Sequence, residues 1–142
     1  MILPDVNLLV YAYNESAPMH LAAKAWWEDC LSHTEPVGLA WVVLLGFVRL
    51  MSSRRVLLAP MPALEAVEHC REWLQRANTL ILAPGPTHFD VLSSLLAGPS
   101  ISANLVTDAH LAALAIEHQA ELHSNDADFS RFSGLKWRNP VA

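Results

Sequence analysis

Five short apolar runs separated by longer stretches of helical periodicity constrain this chain more than any other feature. Met1 to Pro4, Pro36 to Leu39, Thr79 to Ala83, Ala120 to Ser124 and Leu135 to Trp137 have the length and composition of strands. Between them, Val6 to Tyr13, Pro18 to Ser32, Trp41 to Met51, Pro60 to Asn78, Thr87 to Leu96 and Asn104 to Gln119 read as helices. Strands that alternate with helices at this spacing are expected to form a parallel sheet with helices on both faces. Such strands are buried on both sides, which suits a chain that is 53% hydrophobic and only 16% charged. An apolar surface covered by a partner would add to the same excess.

The 142 residues contain no repeat, low-complexity segment or linker, so residues 1–142 are read as one domain. In the second helix the 3.6-residue spacing of Leu21, Ala22, Ala25, Trp26 and Leu31 predicts their burial, and the near-continuous apolar run from Trp41 to Met51 predicts a buried helix. Trp26 and Trp27 are consecutive and cannot both face one core, which leaves one for an interface.

Composition excludes several classes of function. Net charge is −5, from 9 basic and 14 acidic residues, with no basic tract, so there is no electrostatic footprint for tight nonspecific nucleic-acid binding. A nucleic-acid substrate would have to be held by a metal and a few placed arginines. Cys30 and Cys70 have no zinc or redox spacing and read as buried thiols in a reducing compartment. No stretch approaches the roughly 18 apolar residues of a membrane span, and the start lacks a basic leader, so a cytoplasmic protein is expected.

The chemistry lies in the acids. Asp5 follows the first apolar run, Asp108 opens an alanine-rich helix, and Asp126 and Asp128 follow the run ending at Ser124. Each has an ordinary reading. Asp5 is a good helix cap, Asp108 a favoured first-turn acid, and Asp126 and Asp128 are turn residues. Chain order, however, puts all of them at the carboxyl edge of a parallel sheet, where ligands bind in such folds. Clustered carboxylates repel one another, and a divalent cation is the simplest offset. The histidines show no i,i+4 ligand pairing. His110, two residues past Asp108 and so roughly 160° round the helix, reads as packing. Thr107 reads as a first-turn hydroxyl or a contact to metal-bound water.

Four blocks together carry a family resemblance. They are Leu3-Pro4-Asp5-Val6-Asn7-Leu8-Leu9-Val10-Tyr11-Ala12, the run from Asn104 through Asp108 to Ala115, Ser124-Asn125-Asp126-Ala127-Asp128-Phe129, and the end from Phe132 to Pro140. Each is weak alone; in this order and spacing over the whole length they resemble PIN-domain ribonucleases of the VapC toxin type, from bacterial toxin–antitoxin pairs. The resemblance implies a PIN-like three-layer α/β fold, a roughly five-stranded parallel sheet flanked by helices. It implies a metal-dependent endoribonuclease that hydrolyses RNA phosphodiesters with metal-activated water, using Mg²⁺ or Mn²⁺ held by Asp5, Asp108 and Asp126. Asp128 competes with Asp126 for the last place, and Asn7 matches a position that orients the first acid. A VapB-type antitoxin and a homodimer are also implied.

The chain departs from the family at the second acid. No Asp or Glu occurs from Pro36 to Ala63, and Gly46 stands where a Glu is usual. A degenerate domain that binds antitoxin or RNA without cutting is therefore the alternative. Arg49, one turn beyond Gly46, is a candidate for the scissile phosphate or for an ordinary salt bridge. An unrelated Mg²⁺-carboxylate phosphohydrolase would carry an Asp-x-Asp motif at the first strand, where Asn7 stands instead.

Overall fold

The computed structural model describes all 142 residues. Five strands form one sheet, β1 (Ile2–Pro4), β2 (Val37–Ala40), β3 (Thr79–Leu82), β4 (Glu121–His123) and β5 (Trp137–Arg138). Their order is β3-β2-β1-β4-β5, and every pairing is parallel. The six helices are α1 (Val6–Tyr13), α2 (His20–Ser32), α3 (Trp41–Met51), α4 (Ala63–Leu74), α5 (His88–Leu96) and α6 (Val106–Glu117). One helical group is linked by packing of α1 on α2 and α3 and of α3 on α4; α5 and α6 pair separately.

The central strands are apolar because both faces are covered. Leu3, Val37, Leu39 and Leu122 have no exposed surface. Gly38 is needed at the β2–β3 seam, since a Cβ there would come within 2.4 Å of the Leu82 side chain. An aromatic cluster joins α1, α2, α3 and α4: Tyr13, Phe47 and Trp73 stack edge to face or tilted, with centroids 4.7–5.7 Å apart, and Trp27 meets Trp73 at 5.4 Å. Trp73 Nε1 donates to the Tyr13 hydroxyl at 2.8 Å, so the buried indole is satisfied.

Several sequence expectations need correction. The buried face of α2 is Ala23, Trp27 and Cys30, while Leu21 is 79% exposed. The predicted set Leu21-Ala22-Ala25-Trp26-Leu31 followed the hydrophobic periodicity, but it is the small Ala23, fully buried, that α2 turns inward. Helix α3 is not buried all round. Val43, Leu44, Phe47 and Met51 are, but Trp41 is 55% and Leu45 62% exposed. Helix α4 is shorter than Pro60 to Asn78 and begins only after Pro62, as the fixed proline backbone favours.

Of the consecutive tryptophans, Trp27 enters the core and Trp26 is half-buried, donating its Nε1–H to His123 Nδ1 at 3.1 Å. His123 Nε2–H in turn donates to Glu121 at 2.7 Å. Burial pushes the His123 imidazole pKa down, in keeping with a neutral ring that accepts at one nitrogen and donates at the other.

Candidate active site at the carboxyl edge of the sheet

Parallel pairing sends the ends of β1 and β4 to the same edge, with Pro4 in register with His123. The next residues, Asp5 and Ser124, therefore meet. Asp5 caps α1, its Oδ1 accepting from Val6 N–H at 2.7 Å. Its other oxygen, Oδ2, accepts from the Ser124 hydroxyl at 2.7 Å. The cap and the candidate ligand are thus one residue with two roles. Ser124 is fully buried and forms a hub: its Oγ also accepts from Asp126 N–H at 3.0 Å and from the Asn7 side-chain amide at 3.4 Å. The Asn7 Oδ1 is buried with no partner.

Asp126 leads into a short 3-10 turn, Ala127–Arg131, and its Oδ1 accepts from Asp128 N–H at 2.9 Å. Asp128 points outward and pairs with Arg131 at 3.1 Å. Asp108 lies in the first turn of α6 and has neither a hydrogen bond nor an ion pair. A second 3-10 turn, Ala103–Leu105, leads into α6. Gln119, with φ +55°, ends it, and Ala120 N–H returns to Ala115 O at 2.9 Å. That left-handed residue turns the chain into β4, so one helix links the Asp108 and Asp126 ends of the site.

The electrostatics tie these acids together. Burial, outweighing the hydrogen bonds from Ser124 and Val6, raises the Asp5 carboxyl pKa, and nearby Asp126 raises it further. Asp108 is raised to about 6 by burial and by the charges of Asp5, Asp126 and Asp128. No Lys, Arg or His side chain contributes to either shift. Asp126 acts on both Asp5 and Asp108, and Asp128 on Asp108 alone.

No three Asp, Glu, His or Cys side chains converge closely enough to form a closed cage by themselves. The donors are all hard oxygens, including the orphaned Asn7 amide oxygen. That set fits a small divalent cation that keeps much of its water shell and takes one or two carboxylates.

Arg49 is exposed on α3, and its guanidinium makes no salt bridge, to the acids or to any other residue. Gly46 packs α3 against α1, since a Cβ there would lie 3.3 Å from Cγ2 of Val6, the residue after Asp5. Thr107 is exposed and unbonded.

Sequence reasoning missed Ser124, whose hydroxyl has no motif of its own; its place directly after β4, in register with Asp5 after β1, is the available signal. It also missed a buried network on α5 and α6. His88 hydrogen-bonds Glu117 through Nδ1 and His110 through Nε2 at 2.9 Å, and Glu117 also accepts from Gly85 N–H at 2.8 Å. His110 thus packs, as its place on the helix suggests, but as part of a polar pin between two helices.

The PIN domain family model matches residues 2–135. Over 141 residues, 99% of both chains, this protein is 45% identical to Ribonuclease VapC33 of Mycobacterium tuberculosis. It is 40% identical to Ribonuclease VapC37 of the same organism over all of its own length and 99% of that protein's. Among solved structures, VapBC2 from Rickettsia felis, bound to a promoter DNA fragment, superposes with a TM-score of 0.68 at 20% identity and 98% coverage of both chains. Mycobacterium tuberculosis VapC20, described as a sarcin-ricin loop cleaving toxin, also gives 0.68, at 16% identity over 96% of this chain and 99% of that one. These structures share the fold, and the sequence relatives share the family: this chain belongs to the PIN-domain family and stands among its VapC ribonucleases.

Proposed function

We propose that this protein is the toxin of a toxin–antitoxin pair and that it is an endoribonuclease dependent on Mg²⁺ or Mn²⁺. One observation carries the reading: parallel pairing of β1 and β4 brings Asp5 and, through Ser124, Asp126 to one sheet edge, where burial and the charges of Asp5 and Asp126 push the Asp108 carboxyl up. Together with 45% identity to a named ribonuclease, this favours RNA phosphodiesters as substrate.

Asp5, Asp108 and Asp126 would hold the ion, one or two of them directly and the rest through its waters, with Asp128 and Asn7 Oδ1 also within reach of that water shell. When bound, such an ion lowers the pKa of a water and neutralises charge on a phosphate. The protein's own part is positional. Ser124 fixes Asp5 and the Asp126 backbone with one hydroxyl, so two ligand stretches cannot drift independently. Asp108, free of hydrogen bonds, is the carboxylate best able to take up a proton near neutral pH.

The partner is a VapB-type antitoxin, in line with the toxin–antitoxin complexes among the similar structures. Exposed apolar residues away from α3, such as Leu64 and Phe89, support a covered surface, by antitoxin or by a second copy in a homodimer.

The test is RNA cleavage by the purified, partner-free protein with Mg²⁺ or Mn²⁺ and with chelator. Cleavage that requires the ion supports the reading. RNA or antitoxin binding without cleavage in any divalent ion would instead establish the degenerate domain that Gly46 suggests.

A further inference from the structure

We infer that the outer face of α3 and the turn after it form the track on which the RNA strand lies, Trp41 stacking on a base and Arg49, Arg54 and Arg55 contacting phosphates. The inference rests on the ribonuclease reading, because an acidic rim repels RNA and the strand must be held elsewhere.

Four observations carry it. The segment from Pro36 to Ala63 contains Arg49, Arg54 and Arg55 and no acid, in a chain of net charge −5. All three arginines are exposed, and none of their guanidinium groups makes an ion pair or hydrogen bond. The acids on neighbouring α4 are partly engaged, Glu68 by Arg71 at 3.3 Å and Glu72 by His69 at 3.8 Å, leaving Glu65 free.

Trp41, Leu45 and Arg49 stand at i, i+4 and i+8, one stripe of the helix, and Trp41 and Leu45 are 55% and 62% exposed. Trp41 opens α3 directly where β2 ends, at the sheet edge that carries the acids, and Gly46 packs α3 against Val6 beside Asp5. The helix rise carries Arg49 about 12 Å beyond Trp41, a distance that a single strand spans in a few nucleotides. Exposed aromatic and free guanidinium groups in a line are the pairing that binds single strands without reading sequence. An apolar groove beside the stripe, between α3 and α4, also suits a protein side chain; the unpaired positive charges favour a polyphosphate strand.

The experiment measures anisotropy of a labelled 12-nucleotide oligoadenylate against salt, on an Asp5→Asn background so that the RNA stays intact. Replacing Arg49, Arg54 and Arg55 together with Gln is expected to weaken binding about tenfold or more at low salt and to make the log–log salt slope shallower by about 2. The Lys triple should keep the slope. Trp41→Ala should weaken binding about five- to a hundredfold with the slope unchanged. A control pair, Arg76→Gln with Lys136→Gln, lies at the opposite sheet edge, before β3 and β5, and should change little.

A Gln triple that binds like its parent, or that loses no more than the control pair, overturns the inference; so does unchanged RNA binding with a Trp41→Ala loss confined to the antitoxin complex. Wild-type cleavage that persists in those cases leaves the ribonuclease reading standing. Track-dependent binding by a wild-type chain that never cleaves would sink that reading alone.

Discussion

At the scale of single residues, the site is organised by one hydroxyl. Ser124 donates to Asp5 and accepts from the Asp126 backbone and from Asn7. Ser124→Ala should cost about 1–3 kcal/mol, because it orphans a buried carboxylate oxygen and an N–H. It should also slow RNA cleavage about 10- to 100-fold, the usual cost of losing a group that orients a metal ligand; urea denaturation and single-turnover rates measure the two. Asp108 titrates near 6 when folded against a usual 3.8. The folded state therefore holds that proton more tightly than the unfolded chain. The stability it contributes is present below about pH 4 and lost as pH rises through about 6. Metal-free protein should become less stable over that window, and Asp108→Asn should flatten the decline; thermal melts from pH 4 to 7 in chelator check this. All four acids were legible in the sequence because each follows an apolar run. Ser124 was not, because a serine beside them carries no pattern until the parallel register pairs the ends of β1 and β4.

At the scale of elements, α3 and the α5–α6 pair carry the instructive differences. Gly46, where the family resemblance implies an acid, lies at a point where a new Cβ meets Val6 at 3.3 Å, so a side chain fits only if Val6 gives by a few tenths of an ångström. Gly46→Glu would add a carboxylate to an already repulsive rim. It should tighten Mg²⁺ binding, read by calorimetry, and push the Asp108 titration upward, read by NMR. The His88–Glu117–His110 pin makes a second prediction. Glu117 is only 7% exposed, so His88→Ala leaves its charge without its imidazole partner and should cost about 3 kcal/mol in urea denaturation. Helix positions were readable from periodicity, but faces were not. Hydrophobic spacing chose Leu21 for the core of α2, whereas Leu21 is exposed and the small Ala23 has no exposed surface. In α3 an apolar run predicted full burial, and the exposed Trp41 and Leu45 show that a chain can keep apolar residues for a surface instead.

At the scale of the whole molecule, strand count and parallel direction were both visible in the alternation of runs, because a buried parallel sheet leaves little freedom in composition. The order β3-β2-β1-β4-β5 places β1 centrally and makes the ends of β1 and β4 neighbours, and that adjacency converts scattered acids into one cluster. No helix is long and apolar enough to cross a membrane. The central claim is that the acids at this edge cut RNA. Single-turnover cleavage by wild type and Asp5→Asn, each with saturating Mg²⁺, tests it most directly. A rate more than about 100-fold lower in the variant, which still folds and melts cooperatively, is the expected result; equal rates in the two proteins would contradict the account.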